Sequence, residues 1–315
     1  MASSLYVTAE QPTQRTPSGL SVTDLLLLCM ALIWGLNFIV VKFATTVFAP
    51  LAFNSTRIAI ALVVLWGILL ARRTPLPPRR EILGLIGLGV LGNGLYQILW
   101  VEGMARTRAS DAALLVAASP AFIEAIGWLR GHDRVGTRGL VGIGISMVGI
   151  GLVVAGGASA ANRASTLTGN ALILTSVLCW AVYSVSLKRF TLRHDGLTIS
   201  AVTMTGGMIA MLIAAVPDLA ATQWSTVSRA GWAAVAYSSI MALVVAYLFF
   251  YRGLRTLGPT RTSMYSNLQP LFAMLGAWLL LAETPRALQL SGGACIVGGL
   301  LLTRLPGKDS VVAVE

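Results

Sequence analysis

Apolar residues gather along this chain into ten blocks, separated by short polar connections. The blocks run approximately 22–43, 50–71, 82–104, 109–129, 136–156, 168–188, 196–216, 231–251, 261–282 and 286–303. Each is about 20 residues long, enough to cross a hydrocarbon core of roughly 30 Å at the rise of an α-helix. Within a block the apolar character is continuous. It does not alternate, so a β-barrel is excluded, and lipid leaves helices as the only other way to satisfy a spanning backbone. The pattern predicts an all-α integral membrane protein with ten transmembrane helices.

Composition agrees with the pattern. Of 315 residues, 56% are hydrophobic and 11% charged, and the mean hydropathy is +0.78. A net charge of +11 raises the question of a polyanionic partner, but nucleic-acid binding needs the charges on one surface. Here they sort by connection. With the N-terminus in the cytoplasm, 16 Lys and Arg fall inside, six fall outside, and Arg57 lies within a span. The positive-inside rule accounts for that asymmetry and predicts both termini in the cytoplasm of a bacterial inner membrane, with no nucleic-acid partner. Cys29, Cys179 and Cys295 all lie in spans, so disulfides are not expected.

The chain repeats itself. Shifted by 150 positions, "SPAFIEAIGWLRGHD" at 119–133 lies over "QPLFAMLGAWLLLAE" at 269–283, which aligns Pro120 with Pro270, Trp128 with Trp278 and Asp133 with Glu283. Gly142 and Gly149 align with Gly292 and Gly299 at the same shift. Earlier, a shift of 146 places "WGLNFIVVK" over "WAVYSVSLK". Five spans per unit is an odd number, so the second unit enters the membrane from the opposite side. The expected organisation is a 5+5 inverted repeat: a cytoplasmic tail at 1–21, a first unit at 22–156, a periplasmic connection at 157–167, a second unit at 168–303 and a cytoplasmic tail at 304–315. Inverted repeats build alternating-access transporters, with the substrate site between the units near the midplane.

"ALIWGLNFIVVKFA" at 31–44, "PLAFNSTRIAIALVVL" at 50–65, the pairs Pro120 with Asp133 and Pro270 with Glu283, and the glycine-rich "GLVGIGISMVGIGLVV" and "LSGGACIVGGLLLT" resemble the drug/metabolite transporter superfamily, in particular its EamA-type ten-helix members. The resemblance covers residues 24–303 and is specific for family but weak for substrate. It implies export of amino acids or other small metabolites, and its aromatic amino-acid exporters make aromatic or larger neutral amino acids the expected cargo. Glu124 departs from the pattern, an apolar residue being more usual there.

Several polar residues stand inside spans and need partners. Glu124 lies some 8 to 9 Å within the membrane at helical rise, where an unpaired ion costs roughly 2.5 to 3.5 kcal/mol on insertion scales. It is read as a proton site or an ammonium partner, or else as a structural hydrogen-bonded acid. Arg57, at a position where the family often has arginine, is expected to pair with Glu102, with a substrate carboxylate as the alternative partner. Asn93, Tyr96, Gln97 and Trp100 share one helical face, as do Trp34, Asn37 and Phe38. Trp180 with Tyr183, Tyr247 with Tyr251, and Tyr265 with Gln269 continue the pattern. Together these residues are candidates for an aromatic, amide-bearing substrate site; the competing reading is packing between helices. Pro120 and Pro270 are expected as bends, either gates or static kinks, and Lys42 as an interfacial anchor.

"GLGVLG" at 87–92 spells a dinucleotide fingerprint but lies within a span, without a preceding strand. No catalytic, metal-binding or cofactor-binding constellation emerges, so the expectation is a secondary transporter and not an enzyme. A multidrug exporter of lipophilic cations and a non-transporting scaffold or sensor are the rival readings. Monomer and dimer are left open.

Overall fold

A computed structural model describes residues 21–129, 137–157, 163–191, 193–257, 262 and 265–304. Among them all regular structure is helical. The helices are α1 (Val22–Val47), α2 (Pro50–Ala71), α3 (Arg79–Gly89), α4 (Tyr96–Arg106), α5 (Ala109–Val116), α6 (Ser119–Leu129), α7 (Thr137–Gly157), α8 (Arg163–Thr191), α9 (Gly196–Ala221), α10 (Arg229–Ala236), α11 (Ala246–Thr256), α12 (Gln269–Leu281) and α13 (Ala287–Arg304). Two wide π turns, Val90–Leu95 and Tyr237–Val245, join α3 to α4 and α10 to α11 without a break in the rod. Seven helical rods are long and apolar enough to cross a bilayer, and three shorter apolar helices cover 109–123, 269–281 and 287–299.

The helix ends follow from local chemistry. Ser21 opens α1 with a capping box: its hydroxyl accepts from the Asp24 N–H (3.2 Å), and the Asp24 carboxylate accepts from the Ser21 N–H (2.8 Å). Pro50 starts α2, where a missing N–H costs nothing. The next N–H, of Leu51, donates to the Asp218 carboxylate of α9 (3.0 Å), so an acid from the other half sits at the positive end of α2.

Helices that the repeat makes equivalent pack against each other head to tail. On α2 and α9, Leu51 meets Asp218 at one end and the Trp66 indole donates to the Thr205 hydroxyl (3.1 Å) further along. On α7 and α13, Gly149 lies against Gly292 and Gly142 against Gly299. These four are two repeat-related pairs, each making the other's contact, as a two-fold axis between the units requires. A Cβ at Gly149 would lie 2.6 Å from the Gly292 carbonyl oxygen, and one at Gly292 would lie 2.7 Å from that of Gly149. The units also interlock, with α3 and its π turn on α9, and the second π turn on α1 and α2. Large apolar side chains face outward; Val63 is 73% exposed and Ile213 76%.

The structure differs from expectation at the prolines. The fourth and ninth apolar blocks are not bent helices but interrupted ones. Turns at 117–118 and 267–268 precede α6 and α12, and Pro120 and Pro270 each occupy the second position of the helix that follows. There the ring meets no preceding helical turn and removes no helical hydrogen bond. Corresponding positions thus carry the same break in both units.

The glycine contacts give a paired prediction. Gly149→Leu drives a side chain into the backbone of α13, and an overpacking cost of about 1–3 kcal/mol or more is expected. Gly151 has open space where its Cβ would be, so Gly151→Leu is expected within about 0.5 kcal/mol of the wild type. Thermal unfolding of both variants in one detergent measures the difference.

Candidate functional site

Between the two units, polar and aromatic side chains from α1, α2, α4, α8 and α11 converge on Arg57. This arginine is 1% exposed. Its Nε donates to the Asn54 Oδ1 (2.6 Å) one turn earlier on α2, and its Nη2 donates to the Gln97 Oε1 (2.7 Å) of α4. The Asn54 amide donates onward to the Gln97 main-chain carbonyl (3.0 Å), which orients Asn54 and ties α2 to α4. Phe53 and Trp100 offer ring faces to the guanidinium at 5.6 and 5.2 Å, an arrangement worth more where water is absent. Tyr96 and Tyr247 lie close enough to interact with it electrostatically. Among the described residues no carboxylate forms an ion pair with Arg57; the ion pairs found lie at the helix ends.

Glu102 is therefore not its partner. That carboxylate pairs with Arg106, four residues later on the same helix, at the exposed end of α4. Gln97 and Glu102 lie at comparable depths for a long side chain, but five residues turn the helix by about 140° beyond a full revolution. Gln97 faces Arg57 and Glu102 faces away.

The aromatic groups follow in two connected sets. Trp34 stands edge-on to Tyr247 (5.3 Å between centroids, 76°) and packs on Phe250 (5.6 Å). Tyr96 packs on Trp180 (5.2 Å), and Trp180 on Tyr183 (5.3 Å). Trp100 meets the edge of Phe38 at 5.7 Å, and its indole N–H is buried without a hydrogen-bond partner among the described residues. The Tyr183 hydroxyl reaches Thr203 (3.4 Å) and interacts with Asn93 and Tyr251.

The π turns place the remaining polar groups. The Trp34 indole donates to the Ala242 carbonyl (2.9 Å), Asn37 accepts from the Ser238 hydroxyl (2.6 Å), and the Tyr237 hydroxyl donates to the Ile33 carbonyl (3.0 Å). So one face of α1 is held by the wide turn of the other unit. π turns free backbone groups that an α-helix would occupy, and they recur at functional sites.

Of the residues singled out from the sequence, the structure brings together Trp34, Tyr96, Gln97, Trp100, Trp180 and Tyr247 around Arg57, with Tyr183 and Asn93 adjoining that group and Asn37 bonded to Ser238 one turn from Trp34. Two stand elsewhere. The Tyr265 hydroxyl donates to Asp24 (2.7 Å) at the first turn of α1, and Gln269 begins α12, where its carbonyl approaches Gly35. Glu124 belongs to α6, but its side chain lies outside the described residues.

A second polar group occupies the bundle end remote from Ser21. Lys42 donates to the Met104 (2.9 Å) and Ala105 (3.3 Å) carbonyls, a helix-to-helix bond that satisfies the C-terminus of α4. It lines a cavity of about 510 Å³ with Arg106, Arg108, Glu283, Thr284 and Arg286. Ala282 leaves α12 in left-handed backbone (φ 53), a strained state for a residue with a Cβ. The turn presents Glu283 to the N-terminus of α5, where it accepts from the Ala109 and Ser110 N–H groups (3.1 Å each) and the Ser110 hydroxyl (2.7 Å). Asp111 and Gln289, buried one turn beyond this cavity, were missed in the sequence. Asp111 there reads as an ordinary first-turn acid, and nothing in its neighbours signals burial.

Two interlocked helical units with a polar centre walled off from lipid define a membrane transporter. Comparison with known proteins agrees. The model of the EamA-like transporter family matches residues 21–155 and again 167–305, and the chain belongs to that family. It is 30% identical to an uncharacterized transporter of Archaeoglobus fulgidus, over 90% of this chain and 97% of that one. It is 27% identical to an S-adenosylmethionine/S-adenosylhomocysteine transporter of Chlamydia trachomatis, over 86% of each. An uncharacterized inner membrane transporter of Escherichia coli, YedA, is 29% identical over 91% and 94%. A solved crystal structure superposes with a TM-score of 0.65 at 19% identity, covering 91% of this chain and 99% of that one.

The Arg57 geometry predicts which polar residue stability depends on. Asn54→Ala or Gln97→Ala removes an acceptor from a buried cation and is expected to cost on the order of 1.5–3 kcal/mol. Glu102→Gln breaks only a half-exposed pair and is expected to cost less than about 1 kcal/mol. Melting temperatures of the purified variants separate the two cases.

Proposed function

We propose that the protein is a secondary transporter that exports aromatic or larger neutral amino acids, or small metabolites with the same amino-acid head, by alternating access. In this reading ten spans form two five-helix units, with both termini in the cytoplasm of a bacterial inner membrane. The carrying observation is Arg57: a guanidinium at the centre of the bundle whose protein partners are two neutral amides and two rings. A charge kept this far from water favours an anionic partner, and a fixed fork of donors suits a carboxylate. The rings of Trp34, Tyr96, Trp180 and Tyr247 are then within reach of the rest of the solute. They suit an apolar or aromatic side chain and, by their faces, an ammonium.

The relative named for S-adenosylmethionine and S-adenosylhomocysteine supports the same chemistry, since both compounds carry an amino-acid head on a body that ends in an aromatic base. It widens the cargo class from amino acids to amino-acid conjugates. Export of lipophilic cations fits less well, because a buried guanidinium repels such a substrate. A scaffold or sensor gives no reason to hold a charge at the centre of the bundle.

Reconstituted protein is expected to exchange labelled phenylalanine, tyrosine or tryptophan across liposomes. The corresponding amino-acid amides, which lack the carboxylate, should compete at least about tenfold more weakly, a difference of 1.4 kcal/mol in binding. Arg57→Lys should weaken exchange, because a point charge does not replace a planar fork. Equal competition by acid and amide, or inhibition by lipophilic cations alone, would remove the reading.

A further inference from the structure

Asp111 has none of its surface exposed. It stands in the first turn of α5, facing α13, where Gln289 is 1% exposed. The Gln289 amide donates to one carboxylate oxygen, Oδ1, while its own Oε1 accepts from the Arg286 N–H (2.8 Å) and so fixes the amide's orientation. The other oxygen, Oδ2, is buried and has no hydrogen-bond partner among the described residues. No ion pair to Asp111 is found among them either.

The charges that face this acid are committed elsewhere. On its own chain segment, the Arg108 Nη2 donates to the Thr284 carbonyl (3.0 Å), with its Nε 3.7 Å from Glu283. On α13, the Arg286 Nη1 donates to the Gly156 carbonyl (3.0 Å) of α7. Between α12 and α13, Glu283 is held by the start of α5. From α1, Lys42 is bonded to the end of α4, and on α4 itself Glu102 and Arg106 pair together. A carboxylate with one amide donor and no ion pair, its neighbouring arginines bonded to other groups, is poorly matched to a full negative charge in a dry site; the neutral acid demands less.

Water is nevertheless close. Arg108 and Arg286, which line the 510 Å³ cavity, stand three residues before Asp111 and Gln289, so the buried pair is one helical turn behind the cavity wall. The clasp of Glu283 on the start of α5 closes that wall. Its release would bring Asp111 to water, with Arg108 and Arg286 already beside it, conditions that favour the anion.

We infer that Asp111, oriented by Gln289, is a proton-binding site at the periplasmic end of the bundle: it holds a proton while α5 is clasped and exchanges it with the cavity when the clasp opens. This deepens the transporter reading and rests on it for direction, with a proton entering as a solute leaves. The bound species is a proton on a carboxylate oxygen, and no other co-reactant is required.

Two measurements test the site separately from the cargo. Infrared difference spectra of the reconstituted protein between acid and alkaline pH are expected to contain the carbonyl stretch of a protonated carboxylic acid. Asp111→Asn should remove it, and Gln289→Leu should move its titration to higher pH, because the amide donor stabilises the anion. In liposomes, Asp111→Asn should retain exchange of labelled amino acid but lose stimulation by an inward proton gradient. Wild-type and Asp111→Asn spectra that coincide would overturn the inference. So would stimulation that persists in Asp111→Asn, that disappears only in Glu124→Gln, or that follows a sodium gradient. A wild-type band with no flux of any amino acid would count against the cargo and leave the proton site standing.

Discussion

A lipid solvent removes the contrast that normally sorts a helix's faces. Val63 and Ile213 lose nothing by pointing into hydrocarbon, so burial of apolar surface cannot tell one helix arrangement from another. What remains to specify the packing is how closely backbones can approach and which polar groups must find each other. Both operate here at named positions. Gly149 with Gly292 and Gly142 with Gly299 bring α7 and α13 to backbone contact, while Asp218 with Leu51 and Trp66 with Thr205 pin α2 to α9. The repeat doubles the glycine contact, so one packing solution serves both units at the seam of α7 and α13.

The same solvent explains where the chain departs from regular helix. An unpaired backbone group in hydrocarbon costs several kcal/mol, so irregular backbone is confined to places walled by protein. Both π turns meet that condition. Gly92 and Asn93 are covered by α8 and α9, and Ser238 and Ala242 by α1. Each departure has its counterpart in the other unit, which argues for its being part of the repeated design and not a local accident of sequence.

The apolar helices were legible because a continuous apolar run leaves helix as its only form in lipid, and the repeat because it preserved proline, tryptophan and glycine at fixed offsets. The grouping of Trp34, Tyr96, Gln97 and Trp100 on inward faces was legible from helical period alone. Azimuth between helices was not. Depth along the membrane made Glu102 look like a partner for Arg57, whereas rotation about α4 gives that place to Gln97. The helix breaks were invisible for a related reason: a proline inside an apolar run is compatible with a bend or with a new start, and neighbouring helices decide. Asp111 escaped notice because its burial is produced by α13, about 180 residues further along the chain.

The two polar groups, one around Arg57 and one around the cavity, are joined by rigid elements. From Gln97 to Arg106 along α4 is about 14 Å at helical rise, and α1 spans a similar stretch from Trp34 to Lys42. Lys42 ties these two helices together by bonding the Met104 and Ala105 carbonyls, and at their other ends both carry rings of the central cluster. In the proposed reading, a solute that displaces Trp34, Tyr96 or Trp100 acts on helices whose residues Lys42, Ala105 and Arg106 line the cavity. Under the proposed transport cycle, α1 and α4 are the elements that would couple occupancy at Arg57 to opening at the Glu283 clasp.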